Sequence, residues 1–229
     1  MKKFIHRLIL SLILFLTGAT SASAQVDYKF DIGGGLGMTG YLGDANTANL
    51  FANPSWNVEA IFRYLFNPRL ALKTNLTAGG LRGNSADMTN VFPGEQTFKF
   101  STTFYELGEM FEFNFFNYGI GERYRKLKRI SPYVTAGIGF LVWSVDGKSG
   151  FTVDIPFGVG VKYKLKKRVN LGAEFLMKKT LSDKVDGDNL QDPYRIKSSF
   201  MKNTDWISTL TFTISYEFGE RCRACNYKE

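Results

Sequence analysis

The sequence predicts an all-β chain closed into an eight-stranded antiparallel up-and-down barrel. Three observations predict it. Apolar side chains recur at every second residue through about eight separate stretches, the period of a strand with two unlike faces. The connections between those stretches alternate between short and long, as in a meander with all its turns at one end. Aromatic residues gather near the ends of the stretches, where a bilayer interface would meet them.

The first element is a leader. Lys2, Lys3 and Arg7 precede an apolar run from Leu8 to Leu16, and Ala22-Ser23-Ala24 supplies small residues before Gln25. This is the pattern of a cleaved secretory signal over residues 1–24, and the run is too short for a membrane-spanning helix. No cysteine follows it, so a lipid-anchored N-terminus is not expected. Barrel is expected over 25–218 and a tail over 219–229. The remaining 205 of the 229 residues hold 26 Lys and Arg against 21 Asp and Glu, a net +5 too mild to imply nucleic acid.

The strands follow in order. Tyr28, Phe30, Ile32, Leu36 and Met38 share a face opposite Asp31, Gly33, Gly35 and Gly37. Trp56, Val58, Ala60, Phe62, Tyr64 and Phe66 oppose Asn57, Glu59 and Arg63, with Ile61 and Leu65 as exceptions. Residues 69–79 set Leu70, Leu72, Leu76 and Ala78 against Lys73, Asn75 and Thr77. From Phe98 to Phe116 the apolar parity changes near Phe104 and Tyr105, which predicts a β-bulge. Strands are expected at 132–143, 151–165 and 169–179. In the last stretch Trp206, Leu210, Phe212, Ile214, Tyr216 and Phe218 stand opposite Asp205, Thr209, Thr211, Thr213, Ser215 and Glu217. Asn67-Pro68 and Lys166-Lys167 make tight turns, whereas 40–55, 81–97 and 180–204 are long loops. Residues 117–131 break the pattern on the short side.

Alternation alone does not say which face is inside. A soluble barrel buries its apolar face; a membrane barrel turns it outward and must close completely to satisfy its backbone. The aromatics favour the second. With the N-terminus in the periplasm, Trp56, Trp143 and Trp206 fall at outer strand ends, and Tyr28, Phe66, Phe115, Tyr133, Tyr163 and Phe218 at inner ends. Trp143 has the parity of the inward face. The expected location is therefore the cell outer membrane, with both termini in the periplasm.

Eight strands leave a lumen that side chains can fill. The inward set includes Lys29, Asp31, Glu59, Arg63, Lys73, Glu112, Asp154, Lys162, Glu174 and Lys178, with Asn57, Asn75 and Asn114. Mixed signs predict a salt-bridged plug, with a conducting channel as the alternative.

The single histidine, His6, lies in the leader, so the mature chain has none for general-base or metal chemistry. Glu106, Glu109 and Glu112 are carboxylates that line a strand. Gly35-Leu36-Gly37-Met38-Thr39-Gly40 has dinucleotide-loop spacing but no following helix. Asp183, Asp186, Asp188, Asn189 and Asp192 do not have EF-hand spacing. No catalytic residue, cofactor, metal, nucleic acid or small-molecule substrate is expected. Cys222 and Cys225 form Cys-Arg-Ala-Cys in a tail placed in the oxidising periplasm. An intrachain disulfide is the leading reading; contact with a partner and half of a shared metal site are the alternatives.

Charge polarity is the strongest functional signal. Arg123, Arg125, Lys126, Lys128 and Arg129 crowd one connection, and Lys166, Lys167 and Arg168 sit in a turn at the same end. Such a basic collar fits an acidic partner or lipid phosphates.

Seven segments together carry a family resemblance: Gly40-Tyr41-Leu42-Gly43-Asp44, "FNPRLALKTNL" from Phe66, "YELGEMFEFNFF" from Tyr105, "SPYVTAGIGF" from Ser131, "IPFGVGVKYKL" from Ile155, "LGAEFLMKKTLSDKVD" from Leu171, and Asn203-Thr204-Asp205-Trp206. In that order the chain resembles the PorG-like outer-membrane β-barrel proteins of the type IX secretion system. The resemblance implies a non-enzymatic component joining the outer membrane to a periplasmic ring, built from a lipoprotein and its partner subunit. A free-standing barrel for adhesion or membrane integrity, acting through its outer loops, is the competing expectation.

Overall fold

The computed structural model describes residues 28–42, 51, 53–84, 99–120, 126–145, 148–181 and 206–221. Within them eight strands run in chain order: β1 (Tyr28–Leu42), β2 (Ser55–Leu65), β3 (Leu70–Asn84), β4 (Lys99–Asn114), β5 (Ile130–Val145), β6 (Lys148–Lys164), β7 (Val169–Thr180) and β8 (Trp206–Glu220). Each pairs antiparallel with the next, and β1 pairs with β8 from Tyr28↔Glu220 to Leu42↔Trp206. The sheet is thereby a closed barrel with no free edge, as spanning strands require. The leader expected at 1–24, most of each long loop and the Cys222 to Cys225 tail lie outside the described residues.

The β2–β3 and β6–β7 turns lie at one end, whereas the two-residue β5–β6 connection at 146–147 lies at the other, with the long loops. Between β2 and β3, the Asn67 carboxamide oxygen accepts from the backbone N–H of Arg69 (2.8 Å) and Leu70 (2.8 Å), which locks the Asn67-Pro68 turn. Between β6 and β7, Leu165 N–H donates to the Val169 carbonyl (2.9 Å). This is the turn end; the opposite one is the loop end.

The two faces follow the expected inversion. Leu36, Val58, Leu76, Phe111, Ile138, Phe151, Val159, Phe212 and Ile214 are exposed on the outer wall. Asp31, Glu59, Arg63, Lys73, Glu112, Asp154, Lys162, Glu174 and Lys178 are buried inside. An apolar wall this continuous is stable against hydrocarbon, not against water. Lys29, on the inward parity, sits exposed at the open turn end.

Three sequence expectations are corrected. β4 carries no bulge, because it pairs without interruption with β3 (Leu70↔Phe113 to Asn84↔Lys99) and with β5. Its parity is constant, and Phe104, fully buried, goes inside beside its cross-strand partner Gly79. Trp143 is 6% exposed and Tyr133 1%, so neither belongs to the outer aromatic rings. The reason is shared. Trp143 pairs with Gly150 and Tyr133 with Gly160, and each ring covers the space a glycine leaves inside the barrel.

Charge fills the rest of the lumen. Arg63 bridges Asp31 (2.9 Å) and Glu112 (3.1 Å), and Lys162 binds the other oxygen of Glu112. Lys73 pairs with Glu174 and approaches Glu59 (3.6 Å), while the Tyr133 hydroxyl donates to Glu174 (2.8 Å). Lys178 pairs with Glu106, and Lys164 with Glu217. Buried charges persist only when paired in this way. Above them, Tyr41, Leu81, Leu141, Trp143 and Ile207 form an apolar layer toward the loop end.

Candidate functional site

The connection from β4 to β5, too long for a simple turn, folds over the turn end. Phe115 N–H donates to the Pro132 carbonyl (3.0 Å), and Phe116 N–H to the Ser131 hydroxyl (3.1 Å). Tyr118 and Lys128 form an isolated parallel bridge, with Lys128 N–H on the Asn117 carbonyl (2.7 Å) and Gly119 N–H on the Lys128 carbonyl (3.0 Å). Arg69, in the neighbouring turn, donates to the Asn117 side chain (2.8 Å).

This frame directs Tyr118 back into the barrel mouth. Its hydroxyl donates to the Asn170 carboxamide oxygen (2.9 Å), and the ammonium groups of Lys164 and Lys162 lie 5.3 and 5.9 Å from its ring centre. Burial, with the negative charges of Glu217 and Asp31 behind it, pushes the Tyr118 phenol well above its ordinary range. Under it lies a cavity of about 40 Å³ lined by Asp31, Asn114, Lys164, Asn170 and Glu217, room for a few waters. Tyr118 is the residue that sequence reading missed. Its one signal was that 117–131 is the only long connection at an otherwise short end.

The predicted collar divides once its residues are placed. Arg123 and Arg125 lie outside the described residues. Lys126, Lys128, Arg129, Lys166 and Lys167 are exposed, and among the described residues no carboxylate pairs with them. Arg129 and Lys164 are joined through the Lys164 N–H to the Arg129 carbonyl (2.8 Å), which brings the two basic segments together. The Lys128 ammonium stands 3.8 Å over the Phe116 ring, with its charge at the rim of the outer wall.

Arg168 is different. It donates to the hydroxyls of Tyr28 (3.1 Å) and Tyr216 (3.1 Å) and pairs with Glu220. Those hydroxyls, Tyr216 first, hold its guanidinium still more firmly in the charged form. Arg168 clamps the β6–β7 turn to β8 and β1, so its charge is committed to the fold. The carboxylates of β4 also part company: Glu106 and Glu112 are buried inside, whereas Glu109 is exposed on the outer wall.

A closed eight-stranded antiparallel barrel with an apolar wall and an ion-paired lumen defines the class of small outer-membrane barrels. The chain belongs to the family described as Domain of unknown function (DUF6089), whose model matches residues 6–227. Among solved structures it is similar to Neisserial surface protein A, with a TM-score of 0.53 and 14% identity over 82% of this chain and 97% of that one. It is also similar to Ail, the attachment invasion locus protein of Yersinia pestis, in complex with the heparin analogue sucrose octasulfate. There the TM-score is 0.50 and the identity 10%, over 84% of this chain and 100% of that one. At these identities the likeness is one of fold. No curated protein matches the chain.

Proposed function

We propose that this barrel is a non-enzymatic component of the type IX protein secretion machinery, docking the periplasmic ring of the apparatus to the outer membrane. Its occupants at the turn end are then the ring's lipoprotein and that protein's partner subunit, and both chain termini face the periplasm. The observation that carries the reading is the exposed group Lys126, Lys128, Arg129, Lys166 and Lys167, unpaired among the described residues and gathered on one end. An acidic surface is the complement of such a patch, and association through it is sensitive to salt. The motif order shared with PorG-like proteins supports the same reading. So does a lumen filled by Arg63, Lys73, Glu112, Lys162 and Glu174, which suits an anchor better than a conduit.

Reversing the charges of Arg123, Arg125, Lys126, Lys128 and Arg129 tests it. Ring proteins are expected to be lost on co-purification from detergent-solubilised outer membranes, with heat-modifiable barrel migration intact. Unchanged recovery of the ring proteins sinks the collar and leaves it to lipid phosphates.

The second reading is a free-standing barrel for adhesion or membrane integrity, favoured by the fold shared with an attachment protein. Gene deletion separates the two. Loss of an anchor strands secreted cargo in the periplasm, whereas loss of a free-standing barrel leaves export normal.

A further inference from the structure

The outer wall has one chemical inconsistency. Glu109 is exposed on it, and its carboxylate accepts a hydrogen bond from the Thr74 hydroxyl (2.7 Å), its direct cross-strand partner. The surroundings are hydrocarbon-compatible: Leu76 59% exposed, Leu107 51%, Phe111 59% and Ile138 54%. Glu109 is also deep. Phe111 and Phe113 separate it from the turn-end aromatic Phe115, and Leu107 and Tyr105 lie on its other side. Six residues from Phe115 correspond to about 20 Å along a strand, hence roughly the middle of an apolar band about 25 Å tall once tilt is counted.

Other outward acidic or basic residues sit near strand ends. Lys179 lies beside Trp206 (5.2 Å to the ring centre), Arg82 near the loop-end limit of β3, and Glu220 at the turn-end limit of β8. Among the described residues, Glu109 alone places an acidic or basic side chain inside the band. A single hydroxyl leaves most acceptor sites of a carboxylate unused. Lipid tails supply no donor.

We propose that the wall of β3, β4 and β5 around Glu109 is an interface within the membrane, and that its occupant is a different membrane-embedded protein bringing a lipid-facing lysine or arginine to this carboxylate. Charge complementarity selects that occupant. A second copy of this chain has no described cation at matching depth, and a twofold contact here sets Glu109 against Glu109. The proposal stands independently of the docking role given to the basic collar.

The test uses the full chain in its own outer membrane, with a photoreactive benzophenone side chain at Ile138 and, as control, at Phe212 on the opposite side of the barrel. Illumination should give a protein adduct at Ile138 and not at Phe212, mapping to a membrane-embedded segment beside a lysine or arginine. Glu109→Leu should cut its yield at least about tenfold, the effect of removing one member of a desolvated charge pair. Glu109→Lys together with the reverse change in the partner should restore it. In the purified protein refolded into phosphatidylcholine vesicles, Glu109→Leu should instead leave the urea midpoint unchanged or raise it. The proposal is overturned by adducts to lipid alone, by self-adducts of the purified protein, by a yield indifferent to Glu109→Leu, by failed restoration, or by a lowered urea midpoint that makes Glu109 a prop of the barrel itself.

Discussion

The indole of Trp143 lies across its cross-strand partner Gly150 so closely that a Cβ on that glycine would come within 2.3 Å of Cζ2. A side chain there fits only if the buried ring moves. Gly150→Ala is therefore expected to displace the indole and lower stability by about 1–3 kcal/mol, the usual cost of overpacking. Urea unfolding in lipid vesicles measures the loss, and the near-ultraviolet circular dichroism band of a packed tryptophan should shrink with it. An unchanged band would mean the indole does not rest on the glycine.

Arg63 is the second test, because it satisfies two carboxylates, Asp31 at 2.9 Å and Glu112 at 3.1 Å. Glu112 retains Lys162 when Arg63 is removed, whereas among the described residues Asp31 keeps only Ser215 (3.0 Å) and a long contact to Asn170 (3.4 Å). Arg63→Met should cost about 3–5 kcal/mol through the stranded charge. Adding Asp31→Asn should recover a large part of it in the same unfolding assay. A double variant no better than the single one would place the cost in packing.

What was legible in the sequence was whatever depends on period two. Strand number and order follow from alternation and loop lengths, and the aromatic residues at the strand ends add the orientation that closes the barrel and turns Arg63, Lys73, Glu112 and Glu174 inward. Parity failed where an apolar residue goes inside: Phe104 suggested a bulge, and Tyr133 was assigned to the outer wall. Both depend on a glycine opposite, Gly79 and Gly160, and cross-strand register is not visible along one strand. The collar was legible as charge, but charge does not reveal which cations the fold retains. Arg168 is held by Tyr28, Tyr216 and Glu220, distant in sequence and joined only by closure of the barrel. Tyr118 was hidden for the same reason.

Tyr118 gives a pH test. Its phenol is held neutral by burial first, so the folded state keeps a proton that an unfolded tyrosine releases near pH 10. The stabilisation is fully present below that pH and is lost as pH rises above it. Stability of the wild type should therefore fall more steeply between about pH 10 and 11.5 than that of Tyr118→Phe, which has no proton to release. Parallel pH slopes in the two proteins would show the phenol ionising freely in the barrel mouth.

Glu106 and Asp154 should respond to neutralisation with opposite signs, although both are buried carboxylates in the same part of the lumen. Lys178 pairs with Glu106, whereas neither oxygen of Asp154 has a hydrogen-bond partner among the described residues, and one of them crowds Gly139. Glu106→Gln weakens the ion pair and leaves the Lys178 ammonium under-compensated, at a cost of about 1–3 kcal/mol. Asp154→Asn keeps the volume, removes a carboxylate near Glu106 and adds donors that Glu106 can use. It should leave stability unchanged or raise it by up to about 1 kcal/mol. Lys178→Met is the control, since it strips Glu106 of its ion-pair partner and leaves that buried carboxylate uncompensated, and it should be the most damaging of the three. If Asp154→Asn proves as harmful as Glu106→Gln, then Lys178 is shared between the two acids and the pairing assigned to Glu106 alone is wrong.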